Sequence, residues 1–187
     1  MRLLSRIAAL MFVSLAASPT LVLAQPSPEA VAEAYVTTIR MRGLPAAVDY
    51  IHPDEVARFK GMLSPLLTHA DSPAAQGLVQ AVFGPMTSVE AVARMDPASF
   101  MRGFMSFLDA QMKALGTTIG DVRIIGAVRE GDTVHLVTRN STGAAGVHVT
   151  KLEVTSLKPY QDTWKLMLSG EMEGFAQALN NRAAAGR

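Results

Sequence analysis

The point at which the hydrophobic period changes constrains this chain more than any other feature. Up to Leu115 apolar side chains recur at helical spacing, and from Asp121 they alternate with polar ones. A repeat of 3.6 residues marks one face of a helix, and a repeat of 2 marks a strand with one buried face. A chain that carries both in succession buries its stripes by stacking helices on a sheet, so the expected class is α+β, a helical N-terminal half on a curved antiparallel meander.

The helical half is heavily punctuated. Ser27-Pro28-Glu29 supplies an N-cap, a proline at the first helical position and an acid in the first turn. Val31, Tyr35 and Ile39 then share a face, and Gly43 ends the helix. Pro53-Asp54-Glu55 opens a second helix with Val56, Phe59, Met62, Leu63 and Leu66 inward, and Asp71-Ser72-Pro73 opens a third that ends near Gly84-Pro85. Thr87 and Glu90 have capping-box spacing. Asp96-Pro97 starts the longest helix, whose stripe is Phe100, Phe104, Phe107, Leu108 and Leu115.

In the strand half, Val122, Ile124 and Val128 alternate with Arg123 and Arg129, and Glu130-Gly131-Asp132 turns the chain. Val134 and Leu136 follow in alternation, residues 140–146 read as a loop, and Val147 to Leu157 reads as a strand with a bulge near Thr150-Lys151. After a turn at 158–162, Trp164, Leu166 and Leu168 form a fourth strand with Trp164 inward. Short connections make these four strands an antiparallel meander, closed by a short helix carrying Met172, Phe175 and Leu179.

Residues 1–24 have the three parts of an export signal: Arg2 and Arg6, an apolar run from Ile7 to Ala17, and Val22-Leu23-Ala24 ahead of a cut before Gln25. The run is shorter than the ~20 residues a spanning helix needs, so cleavage is expected rather than anchoring. Residues 25–187 then form a single domain. Removal of the signal takes two arginines and leaves 15 Lys and Arg against 16 Asp and Glu. That balance gives no reason to expect nucleic acid as a partner, and no span remains once the signal is gone. The chain has no cysteine. Thiol chemistry and a lipid anchor at the cleavage site are thereby excluded, and an exported location, periplasmic or extracellular, needs no disulfide here. Asn140-Ser141-Thr142 has the pattern of a glycosylation sequon, which matters only in a eukaryotic host.

Several clusters invite chemistry. His52-Pro53-Asp54-Glu55 joins an imidazole to two carboxylates, suited to acid–base work or a divalent metal, yet the same residues are what a helix start requires. His135 and His148 flank the expected 140–146 loop and share a face if Val134 and Leu136 lie opposite Val147 and Val149, a start for a metal site without a third ligand. Met101, Met105 and Met112 lie within about 40° of one another on the longest helix, at ~100° per residue. They suit a copper(I) site in principle, and core packing or a pocket lining more simply. With Phe104 and Phe107 they widen the apolar arc beyond the ~100° a surface helix needs. The excess has to be covered by other helices, by a homodimer, or by a small apolar ligand. No G-x-S-x-G turn, H-E-x-x-H pair or phosphate-cradling glycine loop occurs, so no cofactor is expected.

An inward Tyr35, the segment Gly43-Leu44-Pro45-Ala46-Ala47-Val48-Asp49-Tyr50-Ile51-His52-Pro53-Asp54-Glu55 and the late strand Asp162-Thr163-Trp164-Lys165-Leu166 resemble the nuclear-transport-factor-2-like superfamily. That resemblance implies a cone of helices on a strongly curved sheet, often with an apolar pocket, and places Asp49 and Tyr50 where cone-fold enzymes sometimes keep acid–base groups. Residues 54–115 are longer and more helical than that family usually has. The element order is also similar to that of periplasmic phospholipid-carrier proteins. The expected function is non-catalytic binding of a small apolar or amphipathic ligand in the cell envelope by Met101, Phe104, Met105, Phe107 and Met112. The alternatives are a proton-transfer enzyme using Asp49 or His52 and a partner-docking envelope protein.

Overall fold

The computed structural model describes residues 25–68, 72–144 and 146–185, so the export signal read over residues 1–24 lies outside the described residues. Helix α1 (Pro28–Arg42) begins where Ser27 accepts a hydrogen bond from the Ala30 N–H and ends at Gly43. A 3-10 turn (Leu44–Tyr50) leads to α2 (Pro53–Leu67), followed by α3 (Pro73–Phe83), α4 (Val89–Arg94) and α5 (Pro97–Ala114). The strands β1 (Thr118–Glu130), β2 (Thr133–Ala144), β3 (Val147–Tyr160) and β4 (Thr163–Leu166) pair antiparallel in chain order, and α6 (Gly170–Ala185) closes the chain. Among the described residues no helix is long and apolar enough to cross a membrane.

Two cores divide the work. The first is helical. Phe59, Leu63 and Leu66 of α2 pack on Phe100, Met101 and Phe104 of α5, with Val79 of α3, Val92 of α4 and Ala176 of α6 closing it. Phe59 lies 5.0 Å from Phe104 and Phe83 lies 5.3 Å from Phe100, centroid to centroid, in tilted contacts favourable for aromatic pairs. The second core is the one-sided seam between α1 and the sheet: Val31, Ala32 and Tyr35 cover Val134, Leu136, Leu157, Trp164, Leu166 and Ile124. Trp164 is buried, as its place in the alternation predicts, and the Arg129 guanidinium sits 5.6 Å above its ring.

The long helix α5 therefore spends its stripe on other helices and on the 3-10 turn, while α1, among the described helices, supplies the main cover of the sheet. An ion cluster around the buried Glu55 ties α6 to α2. The Glu55 carboxylate accepts from Arg58 and from the Leu168 N–H, and Arg58 reaches on to Glu173 at 2.8 Å.

Four local readings are corrected. Ser88, not Thr87, caps α4, accepting from the Ala91 N–H, while Thr87 donates to the Phe83 carbonyl. Leu115 caps α5 from outside its stripe and is exposed. Residues 140–144 continue β2 instead of forming a loop, because they pair with Val147 to Lys151 of β3. The β2–β3 register is unbroken through Thr150-Lys151, and the irregularities lie in β1, between Ile119 and Val122 and between Ile124 and Gly126. The second of these moves Val128 to the face of Arg123 and puts Arg129 on the face of Trp164, opposite to the simple alternation.

Candidate functional site

Each residue singled out in the sequence has a definite place. His52 is the N-cap of α2, its Nδ1 accepting from the Asp54 N–H at 3.3 Å, and its ring meets Tyr160 edge-on at 5.1 Å. Asp49 is exposed and pairs with Arg102 at 2.6 Å, while its carbonyl takes a hydrogen bond from Lys165. A base that abstracts protons from a buried substrate needs a desolvated carboxylate, and Asp49 has no such setting. Asp54 stands in the first turn of α2, and Glu55 is engaged by Arg58 and the Leu168 N–H.

The two histidines do not meet. His135 pairs with Ser156 and His148 pairs with Gly143, so they share the outer face of the sheet but stand eight residues apart along β2. At ~3.3 Å per residue that is roughly 26 Å, too far for one metal ion. The register with Val134 and Leu136 opposite Val147 and Val149 is replaced by Val134 opposite Leu157 and Leu136 opposite Thr155. His135 instead bonds Ser156 at 2.8 Å and contacts Glu130 at 3.3 Å. Among the described residues no group of three or more His, Asp or Glu is arranged to hold a metal.

On α5, Met101 and Phe104 are buried in the helical core, Met105 packs at its margin, and Phe107 and Met112 are half-buried. The cavity that Phe104 helps to line, with Leu63, Leu66, Val79 and Phe100, has a volume of about 20 Å³ and purely apolar walls. A void of that size holds about one water, and apolar walls keep it dry. A wider, open depression of about 310 Å³ beside Lys60 and Ser64 is crossed by the Lys60 ammonium, which donates to the carbonyls of Ala93 and Met95.

The inner face of the sheet beyond α1 is mixed, with exposed Val147 and Val149 beside a polar group. Glu153 takes hydrogen bonds from Asn140 and Lys151, and Lys151 also reaches Glu171 at 3.0 Å. These carboxylates, Glu153 first, hold the Lys151 ammonium above its ordinary pKa. Burial, with the Glu153 charge second, pushes the Tyr35 phenol up. The amide nitrogen of Asn140 that a glycan would need is thus engaged within the strand ladder.

The outer face carries exposed aliphatics from two strands, β1 and β3. Val128 is 60% exposed, Leu152 61% and Val154 59%, and half-buried Val137 lies between Gly126 and Val154 in the ladder. Among the described residues no helix covers this row. Beside it, Arg123 and Arg139 stand directly opposite each other, with Leu152 as the next neighbour across β3. Like charges opposite one another in a ladder repel, and among the described residues neither guanidinium has an ion-pair partner. Sequence reasoning missed this site because Arg123 and Arg139 come together only through the pairing of β1 with β2. The alternation did signal two arginines on polar strand faces.

Helices on a four-stranded antiparallel meander define an α+β class compatible with a cone-like arrangement. Compared with protein-family models, curated proteins and solved structures, the chain matches none.

Proposed function

We propose that the protein is an exported, non-catalytic binding module for an anionic amphiphile, held on the outer face of the sheet. The carrying observation is the Arg123–Arg139 couple, without an ion-pair partner among the described residues, set against exposed Val128, Leu152 and Val154 and half-buried Val137. An acyl chain covers the aliphatics, and a carboxylate or phosphate head relieves the repulsion between the guanidiniums by accepting from both. Each titratable group weighed for catalysis has a structural partner, as His52 and Asp49 do. Membership of the nuclear-transport-factor-2-like superfamily is part of the proposal, and the helix-on-sheet order supports it.

A fluorescent long-chain fatty acid and its uncharged methyl ester test the reading as a pair. The acid binds more tightly than the ester. Replacing both arginines by glutamine removes that preference, and Leu152→Thr with Val154→Thr weakens both probes. No binding of either probe overturns the reading. Binding that survives these changes and is lost in Phe107→Ser or Met112→Ser moves the ligand to the α5 arc.

A further inference from the structure

The short β4 leaves most of β3 without a neighbour. β4 pairs only with residues 157–160, and Met167 adds one bond to the Ser156 carbonyl. From Val147 to Thr155 the outer edge of β3 has no strand beside it among the described residues. A long edge with exposed aliphatics is a template for pairing unless charge or proline blocks it, and this stretch, Val147-His148-Val149-Thr150-Lys151-Leu152-Glu153-Val154-Thr155, has no proline.

The direction of the free backbone groups follows from the bonds already made. The Ser156 carbonyl faces β4, whereas the Glu153 carbonyl faces β2, where it accepts from Thr138. Groups on one edge alternate along a strand, so the N–H and C=O of Val154, Leu152 and Thr150 point to the open side. We propose that a second copy of this chain occupies that edge, β3 against β3 about a two-fold axis through Leu152, so that two four-stranded sheets become one continuous sheet.

Self-complementarity selects this register. A two-fold axis at Leu152 sets Leu152 opposite the partner's Leu152, with both backbone groups of each in hydrogen-bonding phase, and Thr150 opposite the partner's Val154. It also sets Lys151 opposite Glu153 of the partner subunit, and the same pair repeats by symmetry. A two-fold axis at Lys151 or at Glu153 would instead oppose like charges, which is destabilising in a ladder. The isologous contact closes on itself and uses up the open edge of β3 in both copies, leaving β1 as the outermost strand at each end of the joined sheet. Lys151 and Glu153 lie on the inner face, whereas Leu152 and Val154 belong to the outer row, so the same pairing sets the outer rows of the two copies side by side.

Charge exchange tests it on the protein by light scattering after size exclusion. The wild type has twice the monomer mass. Lys151→Glu and Glu153→Lys each give monomers, since each places like charges opposite one another twice. Mixing the two variants in equal amounts restores a dimer, because every rung is then opposite in charge. Restoration by mixing also establishes that both variants are folded. With Leu152→Cys, in a chain otherwise free of cysteine, oxidation gives a covalent dimer, whereas Thr150→Cys does not, as Thr150 faces the partner's Val154. A monomeric wild type, single variants that remain dimers, or a mixture that stays monomeric overturns the proposal.

Discussion

The helical core and the sheet use their apolar residues differently. In the helical half, Phe59, Met101 and Phe104 are at most 2% exposed, and their neighbours on α2, α3 and α6 leave only a water-sized void. On the sheet, Leu136 and Leu157 are fully buried beneath α1, yet Leu152 and Val154 of the same ladder stand in solvent. Packing alone explains the first set of side chains. It does not explain the second, and an apolar row that no described helix covers, beside two arginines without an ion-pair partner among the described residues, is the kind of surface that marks binding.

The largest effect expected from this contrast is at Phe104. Its replacement by alanine costs ~3–5 kcal/mol of stability, the range for a buried aromatic, whereas Val154→Ala changes it by less than ~0.5 kcal/mol. Urea denaturation of the two variants checks the pair, and equal losses would erase the contrast. Trp164→Ala belongs with Phe104→Ala and reports the α1 seam. Next comes Glu55→Gln. It weakens the Arg58 pairing and the bond from the Leu168 N–H, and a loss of ~1–3 kcal/mol is expected because the Glu55 carboxylate is buried.

Gly43 gives a similar effect by another route. Its φ of +81° and ψ of 172° lie in a region essentially reserved for glycine, and a Cβ there would sit 3.1 Å from Asp109 Oδ1. Gly43→Ala should cost ~1–3 kcal/mol of backbone strain, read as a lower melting temperature.

Asp109 supplies the smallest effect and a pH signature. The Lys113 ammonium, 2.6 Å away, and then the Leu44 N–H hold its carboxyl below the usual carboxylate range, against the opposing effect of burial. A depressed folded pKa stabilises above the unfolded value of ~3.9, and the contribution is lost as pH falls through the folded pKa. The stability difference between wild type and Asp109→Asn should therefore be constant near neutral pH and shrink in acid below about pH 4. A difference that grows on acidification would contradict the assignment.

What the sequence made legible was local. Ser27, Ser72 and Asp96 are found at the helix starts their side chains favour, and Gly43 and Gly84 are at the ends. Trp164 is inward because a four-residue strand keeps its parity. What escaped was set by partners distant in the chain. Residues 140–144 are rich in Asn, Ser, Thr and Gly and carry no apolar alternation, so only pairing with 147–151 on one side and 118–122 on the other makes them a strand. The irregularity at Ile124-Ile125-Gly126 falls in a run with no polar marker, and it reverses which side Val128 and Arg129 take. The Arg123–Arg139 couple depends on that same register, which is why the outer face was not read beforehand.

Methyl-detected NMR of the protein, titrated with a long-chain fatty acid, tests the central claim most directly. The methyls of Val128, Val137, Leu152 and Val154 should shift progressively while those of Leu63, Leu66 and Val79 stay in place. Shifts in the helical-core methyls with the sheet methyls unmoved would contradict the account.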